Sequence, residues 1–286
     1  MIKIKKRKPN RSRAGDVFIY IMLVFFGWFF LFPLLFSINN AFKPLDEIFL
    51  FPPKLWVSKP TLDNFADLFV LMGKTWVPFS RYIFNTVFIT VAGTLGHLLI
   101  ASMAAYVLSK YRFPGNKFFF LVVTTALMFT PQVLQIPNYL VMTKLGWVDT
   151  YLAIIVPAFA TPIGLFLMKQ FMEQIPDTLI EAAKVDGAKE VRIYFKVVMP
   201  LVKPASLTLA IFSIQNLWNT RASAFIYSEE LKTLPYALGQ IITGGSVARA
   251  GVGAAVSLFI MVVPLLFFIF AQSNIIETMA SSGIKE

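Results

Sequence analysis

From Val17 to Ile38 the chain runs through 22 consecutive residues with no charged side chain. A helix rises about 1.5 Å per residue and a bilayer core is about 30 Å thick, so roughly 20 such residues are what a membrane crossing needs. Five more segments approach that length, at about 84–109, 117–138, 151–172, 202–220 and 253–273. Charged residues make up 14% of the chain and Phe occurs 30 times, whereas a soluble domain carries about 25% charged residues. The predicted fold is all-α and polytopic. Six transmembrane helices fill 17–273, a basic segment occupies 1–16, and a short tail follows over 274–286. The fifth span is the least apolar, because Gln215, Asn216 and Asn219 fall inside it.

The formal net charge is +11, but its placement points to a membrane rather than to nucleic acid. Lys3, Lys5, Lys6, Arg7, Lys8, Arg11 and Arg13 crowd the segment before the first apolar run, the position of a cytoplasmic anchor under the positive-inside rule. That run is too long for a signal peptide and lacks a small-residue cleavage site. With both termini placed in the cytoplasm, roughly two-thirds of the Lys and Arg residues fall on the cytoplasmic side, together with the polar loop at about 173–201.

That loop reads Glu181-Ala182-Ala183-Lys184-Val185-Asp186-Gly187-Ala188 and closes at Val197-Val198-Met199-Pro200-Leu201. Thr178 followed by Glu181 fits a capping box, and Gly187 suits the positive φ of a helix end. A second helical run extends from Lys189 to Val198. Two amphipathic helices lying on the bilayer surface are one reading. However, Ala182 and Ala183 offer lipid little area while permitting close approach of another protein's backbone, so a soluble partner is the better match.

The triplet Glu181, Ala182, Ala183, with Gly187, Val197 and Pro200, closely resembles the EAA loop of permease subunits in ABC importers. Phe42-Lys43-Pro44, Pro52-Pro53, Pro60-Thr61-Leu62, Arg112-Phe113-Pro114-Gly115, Pro131-Gln132, Ile136-Pro137, Lys144-Leu145-Gly146, Phe171 and Ile175-Pro176 extend the resemblance to the maltose-type sugar permeases. The nearest likeness is to the smaller of the two permease subunits. The resemblance implies a type I ABC importer in a bacterial cell membrane. This chain would pair with a second permease subunit as a heterodimer, with two ATPase subunits that hold ATP and Mg, and with an extracytoplasmic solute-binding protein that delivers a sugar.

By the same resemblance, Glu181, Ala182, Ala183, Asp186, Gly187, Ala188 and Pro200 form the coupling helix gripped by the ATPase, with Glu181 meeting a basic residue and Gly187 setting the angle of the turn. Gly283, Ile284 and Lys285 resemble a tail that reaches the ATPase. The external loop from Arg221 to Gly251 would enter the binding protein's cleft through Gly244, Gly245 and Ser246. Amides beside an indole suit a sugar path, by hydrogen bonding and ring stacking, which singles out Gln215, Asn216, Trp218 and Asn219. Hydrogen bonding of these amides between helices is an equal alternative.

Other chemistries find little support. There is no Cys and one His, His97, so a Cys- or His-rich metal site is not expected, and His97 reads as a buried or pore-facing residue satisfied by a neighbour. No Gly-rich phosphate loop ending in Lys followed by Ser or Thr occurs, so ATP is expected on a partner and no cofactor in this chain. No nucleophile–base constellation is visible, so the chain is not expected to be an enzyme. An ABC permease for a non-sugar solute would share the Glu181 loop. A stand-alone secondary transporter or channel would call for intramembrane charges or broken helices in related halves.

Overall fold

Lipid offers backbone N–H and C=O groups no partner, so a chain of apolar runs closes its hydrogen bonds internally as helices. The computed structural model describes residues 13–73, 76–221, 224–243 and 250–282, with side chains from 14 to 272 within those ranges. Among the described residues there is no β-strand. The helices used below are α1 Arg13–Ala41, α2 Asp63–Gly73, α3 Phe79–Lys110, α4 Asn116–Ala126, α5 Pro131–Lys144 and α6 Leu152–Phe159. They continue with α7 Pro162–Glu173, α8 Asp177–Val185, α9 Glu190–Leu201, α10 Lys203–Trp218, α11 Leu234–Thr243 and α12 Ala250–Ser282.

Four stretches are long and apolar enough to cross a membrane as they stand: Ala14–Ala41, Phe79–Lys110, Leu152–Glu173 and Ala250–Gln272. Of the other two apolar segments, 117–138 is broken, whereas 202–220 is the single helix α10, bent only against α9 of the loop before it. α4 and α5 meet at 111°, and α9 and α10 at 80°. The span expected over 117–138 is therefore not one straight helix. Pro131 explains the difference: it has no N–H to continue a helix, and it forces Thr130 into an extended conformation, φ −79° and ψ 147°. Hydropathy counts side chains and does not register the break.

The chain divides into two units, Met1–Val70 with Gly245–Leu258 and Leu71–Gly244 with Phe259–Glu286. In the first, the Pro-rich segment after α1 is pinned by buried polar groups. Lys43, 2% exposed, donates to Asn40 Oδ1 at 2.8 Å and to the Lys54 carbonyl at 2.6 Å. The Glu47 carboxylate accepts the Ser58 amide at 2.8 Å, and Asn64 donates to the carbonyls of Ala41 and Lys43. Gly251 leaves no room for a Cβ against the Asn64 amide.

In the second unit α3 packs along α6, α7 and α10. Its inward stripe recurs every three to four residues, through Tyr82, Thr86, Ile89, Gly93, His97, Ala101 and Ala105. Phe84, Phe88, Val91, Leu95 and Leu99 face outward and are exposed. Thr86 and His97 thus lie inside while large apolar side chains face outward, the distribution expected when the solvent is lipid. Gly93 and Gly96 let Leu217 and Phe159 close on α3. His97 is buried, with Nδ1 3.4 Å from Ser213 Oγ and Nε2 3.3 Å from the Thr161 carbonyl. Gly164 lies against the same imidazole.

Candidate functional site

The loop between α7 and α10 is built around three ties to α3, through Lys110, Tyr106 and Ser102. At its start, Lys110 from the last turn of α3 donates to the Ile175 carbonyl at 2.5 Å and to Asp177 Oδ1 at 2.8 Å. Pro176, at φ −60° and ψ 134°, is the N-cap of α8, and no side chain caps this helix. The expected capping box is therefore absent. α8 begins before Thr178, and the Glu181 carboxylate lies beyond reach of the helix end. Glu181 is exposed and makes no hydrogen bond or ion pair among the described residues.

α8 ends in a Schellman motif. Gly187 has φ 78°, the Ala188 amide donates to the Ala183 carbonyl at 3.0 Å, and the Gly187 amide donates to the Lys184 carbonyl at 3.0 Å. Both bonds satisfy carbonyls that the helix end would otherwise leave open. Across this turn, Lys184 Nζ and Glu190 Oε1 are 2.8 Å apart, and the other oxygen of Glu190 accepts from the Tyr106 hydroxyl at 3.1 Å. The Lys184 ammonium and the Tyr111 and Tyr106 hydroxyls together hold the Glu190 carboxyl below the usual range, although partial burial opposes this. The Lys110 ammonium does the same for Asp177. α9 is seated by Ile193, Tyr194 and Val198, all buried, with Tyr194 Oη 2.6 Å from Ser102 Oγ on α3.

What this scaffold leaves outward is a continuous display. Ile180 faces the core and Ala183 and Ala188 pack partly against it, while Glu181, Ala182, Asp186, Gly187 and Pro200 are exposed. Leu179, Val185 and Val191 stand around them at 45%, 88% and 69% exposure. Large apolar side chains held outward on a braced loop, beside an unpaired carboxylate, form a surface suited to a protein partner. Glu190 was not legible as a site residue, since its acceptor role depends on Tyr106, 84 positions away.

A second feature lies between α5, α6 and the end of α10. A cavity of about 510 Å³ is lined by polar residues that include Gln132, Gln135, Asn138, Asn216, Thr220 and Arg221. Of the four residues singled out for a sugar path, only Asn216 lines it. Trp218 is buried and its indole N–H donates to the Ile260 carbonyl at 3.0 Å, which makes it a tie to α12 rather than a stacking surface. Asn219 donates to the Gln215 carbonyl at 2.7 Å, and Gln215 does not line the cavity. Three of the missed residues sit on α5 at a spacing of three, a pattern hidden while 117–138 was read as one apolar span.

The described part of the segment that begins at Arg221 is tied to Asp149. Asp149, with φ 62°, accepts the amides of Tyr227 and Ser228 at 2.9 and 2.8 Å and the Ser228 hydroxyl, and α11 follows. Gly244, Gly245 and Ser246, and the tail residues Gly283, Ile284 and Lys285, lie outside the described residues. Among the described residues no group of His, Cys, Asp or Glu is placed to hold a metal ion.

The family described as binding-protein-dependent transport system inner membrane component matches residues 97–279. The chain is similar to the arabinooligosaccharides transport system permease protein of Halalkalibacterium halodurans, with 33% identity across 97% of this chain and 99% of that one. It is also similar to the galactooligosaccharides transport system permease protein of Bacillus subtilis, with 28% identity across 94% of this chain and 95% of that one. Among solved structures, a chain of a bacterial ABC transporter involved in the import of the acidic polysaccharide alginate superposes with a TM-score of 0.77 at 22% identity, covering 93% of this chain and 99% of that one. That likeness speaks to the fold.

Proposed function

Because the chain belongs to the inner membrane components of binding-protein-dependent transport systems, a family of non-catalytic permease subunits, we propose that it carries a sugar or oligosaccharide across a bacterial cell membrane in an ATP-driven importer. It pairs with a second permease subunit as a heterodimer and docks on two ATPase subunits, which hold ATP and Mg. An extracytoplasmic solute-binding protein delivers the sugar. Both termini and the α8–α9 loop lie in the cytoplasm, in keeping with the bias of Lys and Arg toward that side. The oligosaccharide permeases among its relatives support the substrate class.

The observation that carries the coupling role is the braced loop with an exposed Glu181 that makes no hydrogen bond or ion pair among the described residues. A carboxylate that its own helix does not use is available for a charge-assisted bond to a basic residue of the ATPase. Ala182, Asp186 and the Gly187 turn permit close approach, and Leu179, Val185 and Val191 supply apolar area. Ala183 and Ala188 shape the loop beneath, and Pro200 stands exposed at its end. Because Lys110 and Glu190 bind the loop to the end of α3, a displacement of the docked loop is transmitted to the helix that contacts α6, α7 and α10.

Reconstitution of the complex in proteoliposomes tests this. Sugar uptake requires the ATPase, the binding protein and ATP, while the isolated chain binds no ATP. Glu181→Ala removes a contact of about 1.5–3 kcal/mol if it is well desolvated, and abolishes uptake while the chain stays in the membrane. Wild-type uptake and wild-type stimulation of ATP hydrolysis in Glu181→Ala overturn the docking role.

A further inference from the structure

We propose that the cavity between α5, α6 and the end of α10 is a subsite for saccharides that carry a carboxylate, with Arg221 as the partner of the anion. The inference rests on the carbohydrate reading above and narrows it to acidic sugars.

On the walls, polar side chains stand among apolar ones such as Ile154, Pro157, Leu217 and Phe225. Gln132, Gln135 and Asn138 lie three apart on α5 and so share a face, and Asn216 and Thr220 present the end of α10 to the same space. Among the described residues, the amides of Gln132, Gln135, Asn138 and Asn216 make no hydrogen bond, although α5 and α10 belong to segments apolar enough to cross a membrane. All four side chains are exposed, so their amides are open to a ligand that enters the space. About 510 Å³ falls within the roughly 300–1,000 Å³ typical of small-ligand sites. Amides that both donate and accept suit sugar hydroxyls.

Arg221 narrows the class. It makes no ion pair among the described residues, and no Asp or Glu lines the cavity, so the site carries one positive charge with no internal counter-charge. The guanidinium packs beside Gly239, 3.5 Å from the position a Cβ would take there. Neutral hydroxyls are satisfied by the amides and do not call for a fixed cation. A carboxylate does, because the guanidinium fork matches its two oxygens in one plane.

The test uses the assembled transporter in nanodiscs without its binding protein, so that the binding protein's own selectivity does not enter. Calorimetric titration compares 1,4-linked trigalacturonate with the same trisaccharide after reduction of its carboxyl groups. The acidic sugar is expected to bind at least about tenfold more tightly at low ionic strength. Arg221→Gln erases that preference, Arg221→Lys keeps part of it, and Gln135→Ala weakens both sugars alike. Equal affinities in the wild type, no detectable binding of either sugar, or a preference that survives Arg221→Gln overturns the proposal. So does loss of the second permease subunit from Arg221→Gln, which assigns the arginine to that interface. In uptake assays with the binding protein, transport of these sugars with no Arg221-dependent preference defeats this inference alone. Uptake of neither sugar, together with accumulation of a non-sugar solute, defeats the carbohydrate reading itself.

Discussion

Glu190→Ala is the perturbation that best separates a braced coupling loop from one that merely lies beside α3. The carboxylate joins Lys184, at 2.8 Å, to the Tyr106 hydroxyl, at 3.1 Å. Both side chains of the ion pair are about half exposed, at 46% and 50%, so solvent screens this part and it contributes little. The larger loss is at Tyr106, which is 6% exposed. Its hydroxyl loses a charged acceptor, at a cost of about 1.5–2 kcal/mol. A total near 2 kcal/mol corresponds to roughly a 30-fold increase in the population of the undocked loop. Amide hydrogen exchange on the transporter in nanodiscs reads this directly as faster exchange over 183–198, while the middle of α3 remains protected. Uptake per ATP hydrolysed falls, because an undocked loop moves without α3. Tyr106→Phe reproduces most of the effect, and the double variant adds little to either single one, as expected for residues sharing one bond. Wild-type exchange over 183–198 and an unchanged ratio of uptake to ATP hydrolysed in Glu190→Ala refute the reasoning.

Gly187→Trp is expected to abolish uptake while the chain still reaches the membrane, since φ of 78° disfavours any L side chain there and a large ring covers the docking face. No atom lies within 4 Å of a Cβ at that position, so Gly187→Asn, which tolerates positive φ, keeps most of the uptake. Gly164→Val drives a branched side chain into His97 and Leu209 and lowers the thermal stability of the purified protein by several degrees or prevents its accumulation, as seen by fluorescence-detected chromatography. Acid should loosen the loop selectively. Asp177 and Glu190 have lowered values in the folded protein, so their contribution is complete above about pH 5 and is lost as pH falls through those lowered values. Exchange over 175–198 measured between neutral and acidic pH should rise on the acid side, and Glu190→Gln should flatten part of that rise.

The apolar runs determined the number and approximate position of the membrane segments, because crossing lipid depends on length and hydrophobicity, which are local properties. The end of α8 was legible for a similar reason: Gly187 takes its positive φ within one short helix and its turn. Tertiary structure decided what depends on distant partners. Pro131 turns one apolar run into a bent pair, and the bend places Gln132, Gln135 and Asn138 around a cavity with Asn216 and Arg221. Trp218 read as a stacking surface until its indole was seen bonded to Ile260, and the Thr178–Glu181 cap gave way to Lys110 holding the helix start from another span. Glu190 gained its role from Tyr106 and Lys184 together. Periodicity and composition record which side chains a helix carries, whereas the partner each polar group finds is set by how helices far apart in the chain close on one another in a medium that leaves such groups no water to turn to.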